Sequence, residues 1–172
     1  MDYVPEGTPD SIEWFRDRGE TPTVVSISDI HGYLEAARNA LTAVGETDAF
    51  DPVVTTDDEG RLHWADNDYL LVVNGDLIDR GDKNRECLAL LERLAEEAPP
   101  GHVRYHLGNH EMGVLFPERF HWPGVYSIEL DDDLRRSFIE HVVAGDITVA
   151  FEGYEHTYSH AGANEEFDVQ NA

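Results

Sequence analysis

The sequence predicts an α/β domain. Three observations predict it. Short β-branched apolar runs recur along the chain, segments of helical period separate them, and each run gives way to polar residues and a glycine. At 172 residues and 41% apolar content the chain is long enough for one domain with a sizeable core.

The elements follow in order. Residues 1–21 hold Pro5, Gly7, Pro9 and Gly19 and read as an N-terminal arm with at most a short helix over SIEWFRDR. The domain proper is expected over residues 22–172. TVVSIS is β-branched and short, a buried strand. YLEAARNALTAV carries apolar residues at helical spacing and stops at Gly45. VVTT and RLHW flank the turn DDEG and form a hairpin. YLLVV is a second buried strand. KNRECLALLERLAEEA puts Cys87, Leu88, Leu91 and Leu94 on one face of an amphipathic helix, which ends at Pro99-Pro100-Gly101. HVRYHL is a third strand. DDDLRRSFIEHVV opens on carboxylates, which the helix dipole favours at an N-terminus. ITVAFEG and YEHTYS are expected to pair as the last two strands, around Glu152-Gly153.

Composition narrows the function classes. The formal charge is 12 − 36 = −24, which repels nucleic-acid backbones and anionic lipids and argues against general binding to either. Lysine occurs once (Lys83) against eleven arginines. This acidic, lysine-poor surface resembles that of halophilic archaeal proteins, with an ordinary acidic protein as the competing reading. The single cysteine, Cys87, rules out a disulfide within the chain and reads as buried filler. No apolar run approaches the roughly 18 residues of a membrane span. The opening MDYVPEGTPDS lacks the basic and apolar regions of a signal peptide, so a cytoplasmic location is expected.

The chemistry sits at the ends of the strands. VVSISDIHG supplies Asp29 and His31, and LLVVNGDLIDRG supplies Asp76, Asp79 and Arg80. VRYHLGNHE supplies Asn109 and His110, and YEHTYSHAG supplies His160. In an open α/β sheet, sites form beyond the carboxyl ends of strands, so these residues converge. The set offers hard oxygens and imidazole nitrogens without a thiolate, which suits Mn²⁺, Fe or Zn²⁺. Two carboxylates and two imidazoles exceed the needs of one ion. A pair of ions about 3.5–4 Å apart would use them all, with Asp76 on the central segment as the natural bridge.

SDIHG, GDLIDRG, GNHE and SHAG, in this order, resemble the calcineurin-like metallophosphoesterases. The match is nearest the phosphoprotein-phosphatase branch, which includes serine/threonine phosphatases and diadenosine tetraphosphate hydrolases. RLHWADNDYLLVVNGD also resembles the hairpin before the second motif of the Shewanella-like phosphatases. One motif alone is weak; four in register are specific. The resemblance spans residues 23 to about 164 and implies a β-sandwich flanked by helices, in α/β/β/α layers.

The resemblance also implies roles. Asp29 and His31 bind a first divalent ion, Asp76 bridges two, and Asn109 and His160 bind the second; Mn²⁺ is preferred, with Fe or Zn²⁺ as alternatives. His110 is the general acid, paired with Asp79, and Arg80 grips a phosphoryl group through its planar fork. Hydroxide formed from water between the ions attacks phosphorus in line, and the substrate is a phosphorylated protein or small molecule. Structural alternatives stand beside each role: helix N-caps for Asp29 and Asn109, a core histidine for His160, a structural pair for His110 and Asp79, a surface salt bridge for Arg80. His63, His102, His106, His121, His141 and His156 match no ligand position and read as surface or strand residues. Phe116-Pro117 and Trp122-Pro123 form a lip or, more simply, pack.

Beyond SHAG the resemblance implies a further histidine and arginine that this chain lacks. The domain is therefore expected to be incomplete at its C-terminus. A metal-binding domain without useful catalysis is the alternative to a phosphatase, and a dinucleoside polyphosphate hydrolase is a third reading.

Overall fold

A computed structural model describes residues 11–116 and 132–162. Pro117, Trp122 and Pro123 of the proposed lip lie outside these residues. Four strands form a parallel sheet in the order β1-β4-β5-β6: β1 is Thr23–Ile27, β4 Tyr69–Asn74, β5 Val103–His106 and β6 Ile147–Thr148. β4 lies between two neighbours, and its residues 69–73 are all buried, which is why its sequence is a continuous apolar run. The two antiparallel pairs are β2 (Val54–Thr56) with β3 (Leu62–Trp64), and β7 (Ala150–Gly153) with β8 (His156–Ser159).

Alternation along β4 divides the core. Leu71 and Val73 face one side, where they pack with Ala37 and Leu41 of α2 (Leu34–Ala43) and with Cys87, Leu91 and Leu94 of α3 (Asn84–Glu97). α5 (Asp132–Ala144) joins that side through Phe138, beside Tyr105. Leu70 and Val72 face the other side and pack with Phe151 of β7 and with Ile12 and Phe15 of α1 (Ile12–Arg16). Helices, parallel sheet and a second small sheet thus form successive layers, in agreement with the expected fold class. Cys87 is buried as anticipated, and burial pushes its thiol up to about 11.

Two expectations change. Residues 11–21, assigned with the rest of residues 1–21 to an arm, dock on the sheet: Phe15 is fully buried against the second core. The run ITVAFEG is not one strand. Ile147 and Thr148 extend the parallel sheet beside Tyr105 and His106, whereas Ala150–Gly153 pairs with β8. The turn between β7 and β8 falls at Tyr154-Glu155, both at positive φ, as a two-residue hairpin turn of the right twist requires.

The register positions the site. Ile27 lies opposite Val73, and Asn74 opposite His106. The loops after β1, β4 and β5 therefore leave the same edge of the sheet at the same level. α4 (Asn109–Leu115) begins directly at the third of these loops.

Candidate active site

The loops after β1 and β4 are zipped together by backbone bonds. The His31 N–H donates to Asp76 O (2.8 Å), Gly32 N–H to Leu77 O (2.8 Å), and Gly81 N–H to His31 O (2.7 Å). Asp29, His31, Asp76, Asp79 and Arg80 all have φ between 51° and 71°. Left-handed backbone costs a non-glycine residue about 1 kcal/mol or more, and strain of this kind concentrates where geometry is used. Gly108 is required for a different reason: a Cβ there would overlap the Asp76 backbone nitrogen and carboxylate.

Asp76 is the hub. It is 2% exposed, and its Oδ1 accepts the His110 backbone N–H at 3.0 Å. Its Oδ2 lies 3.6 Å from His31 Nε2, 3.6 Å from His160 Nε2 and 3.9 Å from His110 Nε2. Asp29 Oδ1 is 3.7 Å from His31 Nε2, on a side chain that faces solvent. Asn109 Oδ1 is 3.1 Å from His160 Nε2. The five residues read from sequence as ligands are thus brought together.

Hydrogen bonding sets the tautomers. His31 Nδ1 donates to Ile78 O at 3.2 Å, and His160 Nδ1 donates to Asn74 O at 2.9 Å. With Nδ1 carrying the proton, each ring turns its Nε2 toward Asp76. His31 Nε2 is buried and has no hydrogen-bond partner. His160 Nε2 and Asn109 Oδ1 face one another as two acceptors. Acceptors converging on a shared carboxylate call for a cation. Two ligands each about 2.1 Å from one ion lie roughly 3.0–3.5 Å apart, close to the spacings here. The residues present fit divalent ions.

Among the described residues, two donor groups have ligand atoms within 4.8 Å of one another: His31, Asp76 and His110, and Asp29, Asp76 and His160. Asp76 belongs to both. The grouping differs from the sequence expectation in two respects: Asp29 gathers with His160 rather than with His31 alone, and His110 enters a donor group.

His110 is buried, with Nδ1 2.9 Å from Asp79 Oδ2. Burial pushes the Asp79 carboxyl above its ordinary range, countered by the hydrogen bond and charge of His110. Arg80 is exposed, and its Nη2 stands 3.5 Å from His110 Nε2. Imidazole, buried carboxylate and guanidinium therefore stand beside the donor groups in one line of contact.

The capping alternatives fall away. Tyr33 is the N-cap of α2 and Gly108 that of α4, so neither Asp29 nor Asn109 caps a helix. Two residues with structural weight escaped the sequence reading. Asn84 Oδ1 accepts the Asp79 N–H at 2.9 Å. Glu111 is fully buried and accepts from the loops after both β4 and β5. The spacing Gly-Asn-His-Glu, with a carboxylate at the third helical position, was the available signal for Glu111.

Comparison with known proteins bears on the family and the fold. The family model described as calcineurin-like phosphoesterase matches residues 22–169. Shewanella-like protein phosphatase 2 of Arabidopsis thaliana is 31% identical over 113 residues, which are 64% of this chain and 26% of that protein. An uncharacterised Schizosaccharomyces pombe protein is 34% identical over 107 residues, 60% of this chain and 30% of its own length. Among solved structures, the cold-active protein-tyrosine phosphatase of a psychrophilic Shewanella species aligns with 99% of this chain and 51% of its own, at a TM-score of 0.60 and 20% identity. A mutant of a cold-active protein tyrosine phosphatase aligns at 0.59 and 23% identity, covering 94% of this chain and 46% of that one. The chain spans about half the length of these structures, and its matched regions under a third of the curated relatives. At such identities the structural likeness speaks for the fold alone.

Proposed function

The chain belongs to the calcineurin-like phosphoesterase family, and on that premise we propose that it hydrolyses phosphomonoesters with the aid of two divalent cations. The observation that carries this reading is Asp76, shared by two donor groups at the strand ends. Asp29 stands within reach of both histidines, and its Oδ1, 3.7 Å from His31 Nε2, would join His31 at one ion; Asn109 and His160 would hold the other, and Asp76 both. Mn²⁺ suits the oxygen-rich set, with Fe or Zn²⁺ as alternatives. When bound, such ions supply positive charge against phosphoryl oxygens and acidify water between them.

His110 is assigned to proton donation rather than to metal binding, although it falls within a donor group. The Arg80 guanidinium, 3.5 Å from its Nε2, disfavours a dication at that atom and favours a phosphoryl oxygen nearby. Nε2 then gives its proton to the departing oxygen, while Asp79 holds Nδ1 and fixes the ring plane. Arg80 positions the phosphoryl group; in a chain of charge −24 it is a fixed positive charge beside the site.

The substrate is a phosphorylated protein or small molecule, and one precedent by name is the Arabidopsis Shewanella-like protein phosphatase 2. The acidic, lysine-poor composition supports a protein adapted to concentrated salt. Among the described residues no helix is long and apolar enough to cross a membrane. The deciding experiment is hydrolysis of p-nitrophenyl phosphate with Mn²⁺, in wild type and Asp76→Asn. The expected result is Mn²⁺-dependent turnover in wild type that falls to background in the variant. Bound Mn²⁺ without turnover in wild type would instead make this chain a metal-binding domain.

A further inference from the structure

Glu111 is fully buried and bonds to both site loops, and none of the roles above uses it. Its Oε2 accepts the backbone N–H of Asp76 (2.8 Å) and of Gly108 (2.8 Å). Its Oε1 accepts the N–H of Leu77 (2.9 Å), the N–H of Ile78 (3.4 Å) and the Tyr105 hydroxyl (2.8 Å). Both oxygens act only as acceptors, and every donor but Tyr105 is backbone of a site loop.

A helix-start reading explains one of these contacts. A glutamate at the third helical position reaches back to the N–H of its cap residue, here Gly108. It does not explain why the same carboxylate takes three consecutive N–H groups 33 to 35 residues earlier in the chain. That turn contains Asp76, held at a φ of 52°, and Ile78, whose carbonyl fixes the tautomer of His31. The other loop begins α4 with Asn109 and His110. One carboxylate therefore fixes the distance between the shared ligand Asp76 and the residues that face it from α4. The two loops also meet directly, through the Asp76 Oδ1 bond to the His110 N–H and through Asp79 Oδ2 at His110 Nδ1, and both contacts depend on the same alignment.

We propose that Glu111 is a positioning residue of the metal centre: it binds no ion, and it sets metal affinity by locking the Asp76 loop to the start of α4. This inference rests on the two-cation reading above. Partners of this kind, one bond removed from the ligands, typically change metal affinity by about 10–100-fold when altered.

Glu111→Gln is the discriminating change because it is isosteric and leaves no void. Its amide has one acceptor oxygen and one donor nitrogen. Whichever way it is turned, the NH₂ group meets backbone N–H groups, either the Asp76 and Gly108 pair or the Leu77 and Ile78 pair. With its oxygen at the Oε2 position the amide keeps Asp76 and Gly108 but sets its NH₂ against the Leu77 and Ile78 N–H groups; turned the other way it loses the Gly108 bond, so neither orientation keeps all four backbone bonds.

The test is Mn²⁺ binding to the chelator-stripped chain, read by the electron paramagnetic resonance of free Mn²⁺ and by calorimetry, with circular dichroism as the check on folding. The expected result is a folded Glu111→Gln protein whose Mn²⁺ affinity falls about 10–100-fold. Tyr105→Phe removes one donor and keeps all four backbone donors, so about a threefold loss is expected. A Glu111→Gln protein that melts earlier but binds Mn²⁺ as wild type does would overturn the inference, because a purely structural role predicts that outcome. Should Glu111→Gln fail to fold, Tyr105→Phe decides, and wild-type affinity in that variant overturns the inference. A wild-type chain that binds no Mn²⁺ would refute the phosphoesterase reading itself, and this one with it. Wild-type binding alongside unaltered variants refutes only the role of Glu111.

Discussion

His106 makes a quantitative test of how the site is supported from below. It is fully buried on β5, where its Nδ1 lies 2.8 Å from Asn74 Oδ1 and its Nε2 has no partner. Asn74 also donates to Ser26 Oγ at 3.0 Å, and its backbone carbonyl orients His160. Burial, with the charge of Arg104 nearby, pushes the imidazole down to about 3 from an ordinary 6.5. The folded protein therefore binds the His106 proton more weakly than the unfolded chain does. Stability from this group is complete above the ordinary value and is lost as pH falls from about 6.5 toward about 3. The loss is about 1.4 kcal/mol per pH unit within that window, or about 2 kcal/mol at pH about 5. His106→Gln retains a donor for Asn74 and cannot titrate. Urea unfolding of metal-free protein, followed by circular dichroism at pH about 5 and about 7.5, measures both proteins. Wild type is expected to lose about 2 kcal/mol more than the variant between those two pH values. Equal losses in the two proteins would show that His106 titrates normally in the folded state, and the buried Asn74–His106 contact would not stand as described.

Other consequences concern the site directly. His110→Ala should lower kcat on phenyl phosphate by about 10²–10⁴-fold and much less on p-nitrophenyl phosphate, whose leaving group needs little protonation. Equal losses on both substrates would remove His110 as the proton donor. Arg80→Lys should raise KM roughly tenfold and leave Mn²⁺ binding unchanged, since a point charge cannot replace the planar fork; an unaltered KM would refute the assignment. The thermal midpoint should rise when KCl is raised from about 0.1 M to about 2 M, as repulsion within the −24 chain is screened. A flat or falling midpoint would count against adaptation to salt.

What the sequence made legible, and what it hid, divides along a physical line. Period and composition are local, and local features were readable: the buried run of β4, the amphipathic face of α3 with Cys87, the hairpin around Asp57–Gly60. The strand-tip residues were readable because glycine-bearing motifs mark where a strand ends. Grouping was not. Whether Asp29 gathers with His31 or with His160 depends on loops that turn through left-handed backbone at five non-glycine residues, and no side-chain pattern encodes that. The division of ITVAFEG between two sheets was hidden for a similar reason. Its apolar content suits either sheet, and only the partners, Tyr105 for Ile147 and Tyr158 for Phe151, decide. Phe15 looked like part of an arm because flanking prolines and glycines outweighed one aromatic residue; its burial depends on a surface made by Leu70, Val72 and Phe151 from distant segments. Glu111 shows the limit most plainly. Its spacing from Gly108 announces the start of a helix, and that is the smaller part of what it does. The larger part is a joint to residues 76–78, which exists only once β4 and β5 lie side by side in register. Motifs therefore mark which groups gather at the strand ends, whereas the distances between them are set by long-range contacts that no motif spells out.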